Sequence, residues 1–392
     1  MWLFCLAALA PAAAAAETST WLVGTAAGPT AARSVPGARI APGIRVVRGD
    51  EASARRLRRL PGVRFVERNR RFRPRSLSAP TDPLFGRQWA LRSARVRGAW
   101  LSTVGGEVPV AVLDSGIDLS NPDLAPNLWT NRDEQPGNGV DDDGNGFIDD
   151  LHGADTVGWD GDPSDGYGHG TAVASVIGAR GDNGFGISGV AWSVRLMPVK
   201  VVHDKGWATT ATMVAGLRYA LANGARIVNM SLNGPEASQA LDEAIRQAER
   251  QGVLVVTSAG NDGADRDRLP SYPASVRSRA VIAVASTGRA GELAPSSAFG
   301  RDSVDIAAPG ENVLAGDLGG RCAPRSGTSF AAAYVTGAAA LLAAARPGAS
   351  GSRLRAALLG SARRSGELDD AIAGGRLDVT AALRRLGRLR SP

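Results

Sequence analysis

Val108-Pro109-Val110-Ala111-Val112-Leu113-Asp114-Ser115-Gly116 is the stretch that decides the fold. Val108 to Leu113 is a near-continuous apolar run that stops abruptly at a carboxylate. A strand with one wet face would alternate apolar and polar residues; an unbroken run is expected where helices cover both faces of a parallel sheet. Four more runs read as buried strands: Val194 to Val202, Arg226 to Met230, Val253 to Val256 and Ala280 to Ala285. Helical stretches alternate with them: Thr171 to Ala179, Thr209 to Ala222, Ala237 to Gln251 and Ser329 to Ala345. Gly224 and Gly252 follow two of these as helix stops. Such alternation implies right-handed crossovers and an α/β fold, a doubly wound and mainly parallel sheet with helices on both faces. Sites in such sheets lie beyond the carboxyl ends of the strands, which is where Asp114 stands.

Two further segments open helices: Gly168-His169-Gly170-Thr171 and Ser326-Gly327-Thr328-Ser329-Phe330. Asp114, His169 and Ser329 can therefore meet at one end of the sheet. Those residue types make a nucleophilic relay: the hydroxyl attacks, the imidazole takes its proton, and the carboxylate orients the imidazole. Each residue alone has a plainer reading, as a turn cap, a satisfied core histidine and a helix N-cap. The other two histidines, His152 in an acidic loop and His203 at a strand end, lack the Gly-His-Gly-Thr setting. Asp118 is the near competitor of Asp114.

The order Asp…His…Ser is neither that of α/β-hydrolases nor that of chymotrypsin-like enzymes, and matches subtilisin. With the extended flanks Val110 to Asp118, Gly168 to Gly178 and Ser326 to Gly337, the chain resembles subtilisin-like serine peptidases, the subtilases, from about Asp82 to Leu386. The resemblance extends to Thr257-Ser258-Ala259-Gly260-Asn261-Asp262-Gly263, which implies that Asn261 is an oxyanion donor beside the Ser329 backbone N–H. It extends also to Ser231-Leu232-Asn233-Gly234-Pro235, which implies pairing with a substrate backbone. Thr81 to Leu91 is similar to the start of a mature subtilase, and Gly374 to Val379 to the closing segment. Ala332, Ala333 and Tyr334 depart from the family pattern and bear on the packing of the helix after Ser329. Asp262, Asp265 and Asp267 either favour a basic side chain before the scissile bond or face water.

Charge is segregated along the chain. Residues 33–75 hold 14 arginines against three acids, whereas residues 76–345 carry more acids than bases, so the net charge of +7 hides two opposed segments. This speaks against a nucleic-acid partner, for which a basic stripe interleaved with aromatics is expected through the main domain. It suits a basic leader matched to an acidic domain, or simply an arginine-rich composition. Leu60 to Asn69 alternates apolar and polar residues after a Pro-Gly turn, as a strand does, and Ser53 to Leu60 has helical composition. The segment resembles the inhibitory propeptide of subtilases, a small α+β unit. Residues 1–16 are apolar and end on Ala14-Ala15-Ala16, which reads as a secretory signal and is too short to span a bilayer stably; the alternative is a buried N-terminal segment. The expected domains are a signal peptide at 1–16, a propeptide with linker at 17–80, and a catalytic domain at 81–392.

The loop Asn138 to Asp150 places carboxylates at alternate positions among glycines, as a hard cation with oxygen ligands requires. Asp141, Asp143, Asn145 and Asp149 are the candidate calcium ligands; a solvated acidic loop is the alternative. The full EF-hand pattern is not met, because His152 occupies the place of its last Glu. By the resemblance alone, Asp123 with the Asp182-Asn183 loop matches a calcium site of the family. Cys322 reads as a small buried hydrophobe. The expected protein is a secreted, monomeric serine endopeptidase acting on polypeptides through an acyl-enzyme. It needs no organic cofactor and is held inactive by its own propeptide until self-cleavage between about Arg73 and Asp82. A non-catalytic scaffold would lack a relay residue, and an esterase would use the same relay without a peptide-binding edge.

Overall fold

The computed structural model describes residues 19–26, 35–69, 79–364 and 366–388. The expected signal peptide and most of the expected cleavage stretch lie outside the described residues. The chain divides into two compact units, Met1–Ser76 and Leu77–Pro392.

The first unit is a four-stranded antiparallel sheet with one helix. It comprises β1 (Ser19–Thr25), β2 (Ala38–Ala41), β3 (Ile44–Gly49), α1 (Glu51–Arg58) and β4 (Val63–Arg68), in strand order β2-β3-β1-β4. Trp21, Val23, Val47 and Val66 pack with Ala54 and Leu57 of the helix. Helix α1 starts at Glu51 because the Asp50 carboxylate caps it, accepting from the Ser53 N–H at 2.8 Å.

The second unit begins with two short helices, α2 (Trp89–Ser93) and α3 (Val96–Trp100). Next come β5 (Gly105–Asp114), β6 (Ala154–Asp155), α4 (His169–Gly178), β7 (Ser193–Lys200), α5 (Thr210–Ala222), β8 (Ile227–Met230), α6 (Gln239–Arg250), β9 (Leu254–Ser258), β10 (Val281–Thr287) and β11 (Ile306–Pro309). The chain closes through β12 (Val313–Gly316), β13 (Cys322–Arg325), α7 (Thr328–Ala345), α8 (Gly351–Leu359), α9 (Gly366–Asp369) and α10 (Val379–Arg388). Seven strands form one sheet in the order β11-β10-β9-β8-β5-β7-β6, and every pairing in it is parallel. From β5 the chain adds strands first on one side, β6 and β7, and then on the other, β8 to β11. The switch falls at β5, so a crevice opens at its carboxyl end, beside Asp114.

Side-chain alternation along β5 explains its unbroken apolar run. Val110 and Val112 join the core layer that holds α4, α7, α8 and α10, whereas Ala111 and Leu113 join the layer of α5 and α6. The stop glycines behave as expected: Gly224 and Gly252 have φ of +73° and +70°, the left-handed turn that ends a helix. Helix α7 is buried almost throughout and runs unbroken through Ala333 and Tyr334. It is apolar and long enough to cross a membrane, but 89% of it is buried in this protein's own core. Two strands of the sheet were not anticipated. β6 has only two residues, and β11 is a four-residue run that ends on a proline.

Candidate active site

Asp114 is the last residue of β5 and is fully buried. Its Oδ1 lies 2.7 Å from His169 Nδ1 and also accepts from the Ser115 N–H at 2.8 Å. Oδ2 is buried with no hydrogen-bond partner among the described residues. A carboxylate acceptor at Nδ1 fixes the proton there and leaves Nε2 as the basic nitrogen. Burial pulls the His169 pKa down, but the Asp114 charge and hydrogen bond, with Asp165 adding to them, outweigh that, and the net shift is upward from 6.5.

His169 opens helix α4 under an arrangement the sequence reading missed. Asp165 Oδ1 accepts from the Ser115 hydroxyl at 2.8 Å and from the N–H groups of Tyr167 and Gly168 at 3.0 and 2.7 Å. Its Oδ2 accepts from the N–H and hydroxyl of Thr171 at 2.9 and 2.6 Å. One carboxylate thus caps α4 and ties it to the turn after β5. The seam leaves no room for a side chain at Gly170, where a Cβ would lie 2.1 Å from the Gly116 carbonyl oxygen.

Ser329 sits in the first turn of α7, behind Gly327, whose φ of +143° favours glycine. Its hydroxyl has no hydrogen bond among the described residues, so it is free to turn. Asn261 lies alongside. Its Oδ1 accepts from the Thr328 N–H at 2.8 Å and from the Thr328 hydroxyl at 2.9 Å. A backbone N–H can only donate, so this contact fixes the amide orientation and leaves Nδ2 for another acceptor. The family resemblance pointed to Asn261 but not to Thr328, which holds it.

Asp114, His169, Ser329, Asn261 and Ser231 to Pro235 line one cavity of about 870 Å³. Within that segment, Asn233 is pinned to Ser258 by two side-chain bonds of 2.8 Å. Gly234 pairs with Tyr272 through both its N–H and its carbonyl. The backbones of Leu232 and Asn233 have no hydrogen bonds among the described residues, an edge open to strand addition. Behind it, Asn229 donates to the Ser231 hydroxyl at 2.9 Å and accepts from Thr336 at 2.8 Å, which fastens β8 to α7. Of the three aspartates after Asn261, only Asp262 lines the cavity. It is paired with Arg266 at 2.5 Å, which holds its carboxyl below the usual range. Asp265 pairs with Arg268, and Asp267 with Ser303 and the Asp302 N–H.

In the acidic loop the grouping differs from the one the spacing suggests. Ligand oxygens of Glu134, Asp141 and Asp143 lie within 4.8 Å of one another. Asn145 instead turns its Nδ2 toward Asp143 and Asp150, both at 3.0 Å. Asp149 accepts from the N–H groups of Asn138 and Gly139 at 3.1 and 3.0 Å. Asp150, which the reading left out, takes the Tyr219 hydroxyl and anchors the loop to α5. Asp123 is elsewhere: it accepts from Asn183 Nδ2 at 2.8 Å and from the Ile187 N–H at 3.0 Å, and burial raises its pKa. Cys322 packs beside Ala179, Ile187 and Leu314, and burial pushes its thiol up to about 11, so it is a poor nucleophile at neutral pH.

A sequence model of the subtilase family (Peptidase S8) matches residues 105–380. Thermitase of Thermoactinomyces vulgaris is 32% identical over 305 residues, 78% of this chain and 99% of the relative. The major intracellular serine protease of Bacillus subtilis (strain 168) is 39% identical over 247 residues, 62% of this chain and 70% of the relative. A solved protease structure from Pseudoalteromonas arctica PAMC 21717 superposes with a TM-score of 0.67 at 27% identity, covering 79% of this chain and all of that one. The fold and these matches define the class, a serine endopeptidase on a doubly wound sheet. The chain belongs to the subtilase family.

Proposed function

We propose that this chain is a secreted endopeptidase, made as a self-processing zymogen, in which Asp114, His169 and Ser329 form the relay. The observation that carries the proposal is the 2.7 Å bond from His169 Nδ1 to Asp114 Oδ1, in the cavity that Ser329 and Asn261 also line. A polypeptide adds as a strand along Leu232 and Asn233, which brings its carbonyl carbon to Ser329. The Ser329 hydroxyl attacks that carbon and its proton passes to His169 Nε2. Asp114 steadies the imidazolium that forms. Asn261 Nδ2 and the Ser329 backbone N–H stabilise the oxyanion. The intermediate collapses, the C–N bond breaks, and the departing amine takes the proton from His169. Water, deprotonated by the same imidazole, then hydrolyses the ester on Ser329.

The unit of residues 17–80 acts as an intramolecular inhibitor, residues 1–16 direct export, and residues 81–392 do the chemistry. The antiparallel sheet and helix of the first unit support the leader's role. Protein recovered from the culture medium, with its N-terminus at or after residue 17, is the expected sign of export; an uncut chain retained in the cells overturns it.

Calcium belongs in the acidic loop. Oxygens that lie within 4.8 Å of one another can share a cation at about 2.4 Å, the usual Ca–O distance. Glu134 fits, because it is 5% exposed and its Oε2 is buried without a hydrogen-bond partner among the described residues. Glu134, Asp141 and Asp143 would hold the ion, which would cross-link the loop and take no part in bond cleavage. Asp123, its oxygens already bonded to protein donors, is the weaker second site.

The decisive test compares wild type with Ser329→Ala for casein cleavage and for labelling by a fluorophosphonate. Both activities are expected only with Ser329. An inert, unlabelled wild-type protein, freed of its leader, would overturn the proposal.

A further inference from the structure

We infer that Arg266 sets the substrate preference of this cleft, selecting a side chain that ends in an oxygen acceptor, Glu or Gln, on the residue before the scissile bond. The inference rests on the peptidase reading above. Asn261 and the Ser329 N–H fix where the scissile carbonyl sits. Ser231 to Gly234 and Gly260 to Asp262 line the cavity that the side chain on that residue then enters. The same cavity is also lined by Arg266, Leu269, Pro270 and Ser271.

Arg266 is held rigidly in that position. It is only 6% exposed. Its Nε donates to the Ala259 carbonyl at 2.8 Å, its Nη1 to the Leu269 carbonyl at 3.3 Å, and its Nη2 to Asp262 Oδ1 at 2.5 Å. The guanidinium lies against the bare Cα of Gly260, where a Cβ would come 2.2 Å from Nη2. Gly260 immediately precedes Asn261, so the cation is one residue from the oxyanion donor. A guanidinium has five N–H groups, and these bonds use three. One N–H on each Nη is left without a partner among the described residues. Buried charged donors are costly to leave unpaired, and a substrate oxygen can take them.

Charge points the same way. Among the described residues Arg266 is the one Lys or Arg in the cavity lining, and its counter-charge Asp262 is 59% exposed. A lysine or arginine side chain entering here would meet a fixed like charge. A purely apolar one would seal the two N–H groups from water without satisfying them. Glutamine and glutamate end in an oxygen that can accept from them.

The test uses the mature enzyme and peptides identical except for Leu, Gln, Glu or Lys before the cleaved bond. For wild type, kcat/KM for Gln and Glu is expected to exceed that for Lys by at least about ten-fold, the scale of one hydrogen bond to a charged group. In Arg266→Met the Gln-to-Lys ratio should fall by about ten-fold or more. In Asp262→Asn the Glu-to-Gln ratio should rise, because the guanidinium loses its counter-charge. If Arg266→Met does not fold, Asp262→Asn, a mostly exposed change, decides alone. Lys cleaved as well as Gln by wild type, or ratios unmoved in the folded variants, overturns the inference. A wild type that is labelled at Ser329 and cuts casein but ignores the peptide series defeats only the specificity. One that is neither labelled nor active defeats the peptidase reading itself.

Discussion

At the scale of single residues, the site depends on groups that orient other groups. In the proposed relay Asn261 donates to the oxyanion only while Thr328 holds its carbonyl oxygen. Asn261→Ala is expected to lower kcat by about 10²–10³, the loss found for the matching donor in subtilisin, a member of this family. Thr328→Val keeps the backbone N–H and loses the hydroxyl, so a smaller drop in kcat, about ten-fold for one hydrogen bond, should appear with KM little changed. An unaltered kcat would remove Thr328 from the positioning role. The upward shift at His169 has two consequences of opposite sign. Activity needs the neutral imidazole, so the acid limb of kcat/KM should fall above pH 6.5. Asp114→Asn removes the charge that raises the pKa, so its limb should move to lower pH while kcat falls about 10⁴-fold. A limb that stays in place would mean that another group titrates. Stability runs the other way: a raised folded pKa contributes stability below pH 6.5 that is lost as pH rises through the folded value. Asp114, His169 and Ser329 stood out in the sequence because each sits at an element end inside a distinctive motif, and the structure brings all three to one cavity. Thr328 and Asp165 were not legible, since what they do depends on where a side chain points.

At the scale of elements, the strand-to-helix seam carries the geometry. Helix α4 approaches the turn after β5 so closely that Gly170 and Gly116 touch backbone to backbone. Gly170→Ala would place a methyl group 2.1 Å from the Gly116 oxygen and 3.1 Å from Asp114 Cβ. Helix and strand must then move apart by a sizeable fraction of an ångström, with His169 on one and Asp114 on the other. A misplacement near 1 Å costs about 10²-fold in rate. We expect a loss of that order in kcat with a near-native circular dichroism spectrum; a loss under about three-fold would show slack in the seam. The same elements show why sequence reached some features and not others. Long apolar runs betray strands covered on both faces, so β5, β7, β8, β9 and β10 were foreseen. A two-residue strand such as β6 has no pattern to read. The cap of α4 escaped because the usual rule looks at the residue just before the helix, whereas Asp165 acts from three residues before Gly168. Glu134 escaped for a related reason: it precedes Pro136 and Gly137, outside the acidic run, and joins it only through the fold.

At the scale of the whole molecule, the remaining predictions concern what holds the chain ready and what releases it. The three carboxylates of Glu134, Asp141 and Asp143 repel one another unless a cation offsets them. A bound ion at 100 times its dissociation constant adds about 2.7 kcal/mol to the folded state. The melting temperature should therefore climb with calcium and fall with a chelator, and Glu134→Gln should flatten that dependence; equal melting in calcium and chelator would remove the ion from this loop. The proposed release of the leader would be the larger event. Residues 33–75 carry 14 arginines against three acids, while residues 76–345 are net acidic, so a single chain joins two segments of opposite charge. Long-range attraction of that kind weakens with salt, because the screening length falls from about 10 Å at 0.1 M to about 3 Å at 1 M. If the basic leader inhibits the cleft, the freshly cut leader should leave faster at high salt, and casein activity should appear sooner there than at low salt. Cutting itself should follow Ser329. Ser329→Ala is expected to keep its full mass, while the wild type loses a fragment ending between about residues 73 and 82. Mixing a trace of mature wild type with the Ser329→Ala precursor separates the routes. A precursor that stays intact at a dilution where wild type matures points to cleavage within one molecule, and rapid cutting in trans points to cleavage between molecules. Maturation of Ser329→Ala on its own would sink self-processing by either route, and would place the activating protease outside this chain.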